Sequence, residues 1–248
     1  MTESAWDRRI ARAEELEATC PPAAELLRFY REIARFQKAI YGQLKPDSRH
    51  SPVSVLLPHF PALLSLVKRI GPAPVAHVAE QLAQDHSQWE DLLADGGNTG
   101  VETEFFARCL LQPYMEYSAS RSDIALGVVQ PACPFCDNKP VAAVLRGEGE
   151  GAKRSLLCSL CATEWDFRRL LCLNCGEESE PKLPVYTAQE FPHVRVEVCD
   201  SCHTYIKSVD LTKNGLAVPV VDELATVSIN LWAEEHGYNK VQLNLLGL

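Results

Sequence analysis

The sequence lacks most of the features that would place it among membrane, nucleic-acid-binding or disordered proteins. No window reaches the roughly 18 apolar residues of a membrane-spanning helix. The amino-terminal MTESAWDRRIARAEELE is charged where a signal peptide would carry an apolar stretch. Basic charge is short as well, with 24 Lys and Arg against 33 Asp and Glu and a net charge of −9. Residues 1–129 hold 13 basic and 17 acidic side chains and residues 130–248 hold 11 and 16, so neither part offers the basic footprint of a phosphate-backbone binder. Gly (13) and Pro (16) are at ordinary levels, which excludes collagen-like and low-complexity chains. There is no Gly-rich phosphate loop, serine-nucleophile context or acid/base pair, and the seven His include no pair at helical spacing. These absences argue against an enzyme that turns over a small molecule and for a cytoplasmic protein.

What the chain has in excess is cysteine, ten in 248 residues that are 46% hydrophobic and long enough to bury a core without disulfide staples. Eight of them form four Cys-x-x-Cys pairs: Cys133/Cys136, Cys158/Cys161, Cys172/Cys175 and Cys199/Cys202. The pairs are separated by 21, 10 and 23 residues, and the first and third lie 39 apart and the second and fourth 41 apart, the pattern of an internal duplication. In a reducing compartment such pairs are more often metal ligands or redox thiols than disulfides. A Cys-x-x-Cys turn aims both sulfurs at one point, and two such knuckles on facing hairpins complete a tetrahedron suited to zinc or a single iron. The simplest assignment puts Cys133, Cys136, Cys158 and Cys161 on one metal and Cys172, Cys175, Cys199 and Cys202 on a second. Crossed pairing, and iron against zinc, stay open on spacing alone. The metals need do no more than hold up two small loop-rich modules, because structural zinc contributes on the order of 10–16 kcal/mol in such units.

Other residues carry less chemistry. Cys109 falls on an apolar helical stripe with Phe105 and Phe106 and reads as a small buried hydrophobe; Cys20, at a helix start, reads as inert. His203 follows Cys202 directly and is expected to face solvent from the turn. Trp165, four residues past Cys161, is expected to pack over its ribbon.

The pattern of apolar residues predicts two textures. Helices are expected from Pro21 through Leu44, from Pro61 to a stop at Gly71, between Pro74 and a Gly96-Gly97 break, and through Phe105 to Leu111 with a kink at Pro113. Residues 45–58 read as a loop, and Thr99 with Glu102 as a capping box opening the last of these helices. After Val128, short β-prone runs at 141–145, 155–157, 194–198 and 205–209 alternate with turns, and Gly147, Gly149 and Gly151 punctuate a loop. Asp222 is expected to cap a helix closed by Gly237. The apolar tail VQLNLLGL, residues 241–248, is expected to dock on the body or on another protein. The fold class that follows is multi-domain α plus small β: a helical domain over 1–129, a first module over 130–170, and a second over 171–248 with a carboxy-terminal helix and tail.

The motifs CPFC, RSLLCSLCATEWDFRRL, CLNC and CDSC, followed by VDELATVSINLWAEEHGY, resemble the FdhE family of formate dehydrogenase accessory proteins. The most specific part is Cys158-Ser-Leu-Cys161-x-Thr-Glu-Trp165, and the resemblance covers residues 131–238; the helical part, with RCLLQPYMEYSA, is similar in character and shorter at its amino end. The resemblance implies an all-helical domain followed by tandem rubredoxin-like or zinc-ribbon modules and a C-terminal helix, with the eight knuckle cysteines holding two iron or zinc ions. It further implies a non-enzymatic, cytoplasmic assembly factor that binds the catalytic subunit of a respiratory formate dehydrogenase, with the tail and the exposed ribbon faces as candidate contacts. Two other classes remain in view: a redox-sensing or electron-transfer protein, and a zinc-ribbon nucleic-acid binder that the charge balance disfavours.

Overall fold

The charged amino-terminal segment opens the fold as a helix. The structure is a computed structural model and describes residues 4–45, 51–94, 101–127, 129–149 and 151–248. Helix α1 (Ala5–Thr19) starts with a capping box in which Ser4 Oγ accepts from the Asp7 N–H and the Asp7 carboxylate accepts from the Ser4 N–H. Its buried face is Trp6, Arg9, Arg12 and Ala13, two of them charged, which is why an apolar stripe did not reveal it. Helix α2 (Ala24–Gln43) follows Pro21 and Pro22 as expected and buries Leu27, Tyr30, Ile33, Ala34, Gln37 and Ile40 at three- and four-residue spacing.

Of the expected loop at 45–58, residues 46–50 lie outside the described residues, and the rest is corrected by a short helix, α3 (Pro52–Leu56), which Ser51 caps by accepting from the Ser54 N–H at 3.2 Å. A 3-10 turn at Leu57–His59 leads into α4 (Phe60–Ile70). Gly71 closes α4 with its N–H donating to the Val67 carbonyl at 2.7 Å, and a Cβ there would lie 2.6 Å from that oxygen, so the position requires glycine. The span Pro52–Ile70 has a mean hydropathy of 1.4 and is, by length and composition, apolar enough to cross a membrane, contrary to the expectation that no window would be. In this fold Leu56, Phe60, Leu63, Leu64 and Val67 pack inward, and the 3-10 turn interrupts the span.

The single helix expected after Pro74 is two, α5 (Ala73–Gln84) and α6 (Trp89–Ala94). Asp85 divides them: its carboxylate accepts from the Ser87 N–H at 3.0 Å and starts a separate turn. Gly96, Gly97 and Thr99, and the side chain of Glu102, lie outside the described residues, so the expected break and capping box are not described. Helix α7 (Val101–Ala119) runs through Pro113. Pro113 has no N–H for the Cys109 carbonyl, and Gln37 Nε2 donates to that oxygen at 3.0 Å instead.

The second half is one mixed sheet built from β1 (Pro140–Glu148), β2 (Gly151–Cys158), β3 (Glu164–Asp166), β4 (Val185–Thr187), β5 (Val194–Cys199), β6 (Thr204–Asp210) and β7 (Asn239–Lys240). The order is β3-β2-β1-β6-β5-β4, with β7 beside β6. Each repeat contributes a three-stranded antiparallel unit, and the units join where β1 runs parallel to β6, with Val144 opposite Val209. The expected glycine loop is a tight hairpin: Gly147 and Gly151 belong to the strands and Gly149 takes the left-handed turn conformation at φ +57°.

One large core joins α1–α7 to Ala143, Leu156, Trp165 and Ile206 of the sheet. A smaller one packs Val194, Val196, Val198, Tyr205 and Val209 on Ile229 and Ala233. The last helix is also two, α8 (Pro219–Ala225) and α9 (Val227–Glu235), the latter followed by Gly237 at φ +81°. Asp222 is not the expected cap; it sits inside α8, nearly fully buried, and accepts from the Val218 N–H at 2.7 Å. The tail docks on the body: Leu245 joins the main core and Asn244 Nδ2 donates to Glu223 at 2.9 Å.

Candidate metal centres

Four copies of one local geometry build the site. In each Cys-x-x-Cys turn the residue after the second cysteine has a left-handed backbone: Asp137 (φ 59°), Ala162 (φ 54°), Gly176 (φ 78°) and His203 (φ 55°). That conformation folds the chain back on itself. Cys133 N–H donates to the Asn138 carbonyl at 2.9 Å and Cys172 N–H to Glu177 at 2.8 Å, while Cys158 N–H donates to Thr163 at 2.9 Å. The inner N–H groups of the turns then point at sulfur: those of Phe135, Leu160 and Asn174 lie 3.4 Å from Cys133, Cys158 and Cys172 Sγ, respectively.

Because β2 ends at Cys158 and β5 ends at Cys199, each hairpin carries its second knuckle against the first. The eight sulfurs gather into two groups, Cys133, Cys136, Cys158 and Cys161 in one and Cys172, Cys175, Cys199 and Cys202 in the other, all within 4.8 Å of one another in each. This is the uncrossed arrangement. Sulfur separations are 3.5 Å for Cys133 to Cys161, 3.4 Å for Cys136 to Cys158, 3.6 Å for Cys172 to Cys202 and 3.7 Å for Cys175 to Cys199. A metal with sulfur at about 2.3 Å in a tetrahedron demands edges of about 3.8 Å, so the donor set fits a four-thiolate zinc or iron ion. The sulfurs cannot share negative charge unaided: contact with Cys136 holds the Cys133 thiol far below its ordinary range, while contact with Cys133 pushes Cys158 far up. A bound cation removes that conflict.

The clusters differ in setting. Cys133, Cys158 and Cys161 are buried, and Cys161 and Cys158 lie in the main core. Arg108 and Gln112 of α7 fasten the second knuckle by donating to the Ser159 carbonyl at 3.0 and 2.9 Å. In the second cluster Cys175 is exposed and Cys202 half-buried.

The remaining candidates are placed apart from the sulfurs or in support of them. Cys109 is fully buried on α7, and burial pushes its thiol well up. Cys20 is buried with its sulfur 3.6 Å from the Ala225 carbonyl. His203 is exposed and serves as the turn residue, and Trp165 is buried with Nε1 donating to the Gln130 carbonyl at 2.8 Å. Sequence reasoning missed two hydroxyls: Thr163 Oγ1 is 3.1 Å from Cys161 Sγ and Thr204 Oγ1 is 3.1 Å from Cys202 Sγ. The shared Cys-x-Thr spacing was the available signal. It also missed the charges around α8. Arg12 donates to Asp222 through Nε at 3.1 Å and a terminal nitrogen at 2.6 Å, and Glu223 pairs with Lys207 at 2.9 Å and with Lys240.

Two family profiles match in succession, "FdhE, central domain" over residues 132–169 and "FdhE, C-terminal domain" over residues 170–246. Among curated relatives, an FdhE homolog of Aquifex aeolicus is 40% identical over 116 residues, 46% of this chain and 41% of that one. Homologs of Edwardsiella ictaluri and Shewanella oneidensis are 30% and 29% identical over 85% and 78% of this chain, in each case 64% of the relative. The chain thus spans from about two fifths to just under two thirds of the curated relatives it matches. The crystal structure of the FdhE protein from Pseudomonas aeruginosa matches with a TM-score of 0.80 at 25% identity, covering 99% of this chain and 96% of that one.

Proposed function

Because the chain belongs to the FdhE family, we propose that it is a cytoplasmic, non-enzymatic accessory factor that binds the catalytic subunit of a respiratory formate dehydrogenase and supports its maturation. In this reading residues 1–129 form the helical body and residues 130–170 and 171–248 the two cysteine modules. The observation that carries it is the pair of four-sulfur clusters, repeated with the same turn and the same threonine, inside a fold that aligns along its whole length with an FdhE protein.

Cys133, Cys136, Cys158 and Cys161 would hold one iron or zinc ion and Cys172, Cys175, Cys199 and Cys202 the other. Such an ion supplies positive charge for four thiolates and, if it is iron, a one-electron couple. The residues around it do the rest. Backbone N–H groups and the two threonine hydroxyls sit against the sulfurs, Trp165 is buried in the main core with its Nε1 donating to the Gln130 carbonyl, and α7 fixes the knuckle at Ser159.

The exposure of Cys175 favours a second reading of the second cluster alone, in which an iron there changes redox state with its surroundings and alters client binding. Both readings are tested on tagged protein isolated anaerobically from its own host. The expected result is about two metal ions per chain together with the formate dehydrogenase catalytic subunit. Absence of that subunit would overturn the client assignment, and client affinity unchanged by oxidation would overturn the redox reading.

A further inference from the structure

A cleft of about 400 Å³ lies beside the second cluster, between the linker at residues 169–173 and the face of the sheet formed by β4, β5 and β6. Its charge is opposite to that of the molecule. The chain carries a net −9, yet Arg154, Arg169 and Arg195 line this cleft with Glu197 as the sole carboxylate among its lining residues. Glu197 is already engaged: Arg154 binds it at 2.7 Å, Arg195 at 3.1 Å, and Ser208 donates to it as well. Burial pushes its carboxyl up, but Arg154 and Ser208 outweigh this and keep it ionised. Among these four side chains two positive charges are left over, beside the Cys172 and Cys199 sulfurs that also line the cleft. The Arg195 Nε is buried with no hydrogen-bond partner among the described residues, and Arg169 is exposed at the mouth, making only a 3.5 Å contact to the Ala152 carbonyl.

The rim is apolar. Leu170 is 51% exposed and Val185 49% exposed, and both line this cleft, with Leu171, Leu183 and Ile206 further in. Val185 belongs to β4, the last strand in the sheet order, which pairs with β5 on one side and has no described strand on the other. Free guanidinium donors, aliphatic seats and an open strand edge suit an acidic side chain carried on an extended backbone, whereas a small anion would leave the leucine and valine exposed.

We infer that this cleft binds an extended peptide segment of a partner protein, seating an Asp or Glu carboxylate at Arg169 and Arg195 and the neighbouring aliphatic side chains on Leu170 and Val185. The inference rests on the reading of the protein as a client-binding factor and names the client feature it recognises.

The test pans a library of random twelve-residue peptides on the full metal-loaded chain and measures selected peptides by fluorescence anisotropy. Selected sequences should place Asp or Glu beside Leu, Ile, Val or Phe. The double variant Arg169→Glu/Leu170→Asp, both exposed positions, should lose at least about tenfold in affinity, as expected for loss of a charge-assisted contact, with circular dichroism and metal content unchanged. Arg169→Lys should stay within about threefold of the parent. Selection of peptides without acidic residues, equal binding by the double variant, or displacement of nothing but inorganic phosphate would overturn the cleft assignment. Retention of the formate dehydrogenase subunit is scored separately: a client held by the double variant as tightly as by the parent sinks the cleft and leaves the client reading standing, while acidic peptides bound by a protein that holds no such subunit do the reverse.

Discussion

The two cysteine modules share their turns and threonine contacts but seat their sulfur clusters differently against the helical body. The first is an extension of the hydrophobic core: Cys158, Cys161, Leu160 and Trp165 pack in one cluster with Phe106 and Leu110 of α7. The second reaches the same core through Leu173, Ile206, Leu224 and Leu245 and adds a small core of its own with α9, together with buried charges: Arg12 of α1 meets Asp222 across the boundary, and Glu223 pairs with Lys207 and Lys240 within the module. Apolar packing is insensitive to pH, whereas a buried ion pair fails when either partner is removed or neutralised. Duplicated sequence has thus produced one cluster set inside the main core and one, with Cys175 exposed, in a module that also depends on buried charge.

The sharpest way to break this comparison is to remove one ligand from each cluster. Cys158→Ser should cost on the order of 10 kcal/mol of metal-linked stability and, through the shared core, abolish cooperative folding of the whole chain. Cys175→Ser should lose one metal but keep the helical circular dichroism signal. If the two variants melt alike, the modules are not differently committed. Graded chelation sharpens the same point, because the ion beside exposed Cys175 should leave first, counted by metal content per chain.

Next in size is Arg12→Ala. It leaves the Asp222 carboxylate buried with His193, 2.8 Å away, and the Val218 N–H to face it, and should cost about 3–5 kcal/mol in urea unfolding. Acid should then separate the modules. Burial pushes the Glu223 carboxyl up, but Lys207 and Lys240 outweigh it and bring it down to about 2. Its unfolded counterpart titrates near 4.5, so its contribution is full above that pH and is lost as pH falls toward about 2. The contribution is on the order of 3 kcal/mol, and hydrogen exchange should show β6 loosening before β2 over that window. Glu223→Gln should remove this pH dependence. The smallest effect is expected from Thr163→Val and Thr204→Val, about 1 kcal/mol each and equal at the two clusters when metal retention is measured. Unequal values would show that the hydroxyls do not play the same part.

The knuckles were legible because their geometry is local. A Cys-x-x-Cys pair closes its own turn, and the repeat spacing of 39 and 41 residues already implied two sets of four. Helices with apolar stripes, such as α2 and α4, were legible for the same reason. The failures cluster where polar groups decide: α1 buries arginines, Asp85 splits a helix that periodicity ran together, and Asp222 lies inside α8, reaching back to the Val218 N–H from beneath Arg12 instead of standing at the helix start. Such positions look like ordinary surface charge until their partner is known.

The sequence by itself determined which sulfurs stand together within each turn, the duplication, and the family resemblance, since these depend on residues close along the chain. Only the tertiary structure decided that β1 pairs in parallel with β6 to fuse the modules into one sheet, and that Arg12 meets Asp222 across 210 residues. It also decided that the carboxy-terminal tail lies on Glu223 and that a cationic cleft opens in an acidic protein. A charge in water and a charge in a protein interior are written with the same letter, and what distinguishes them is the desolvation and the counter-ion that folding supplies.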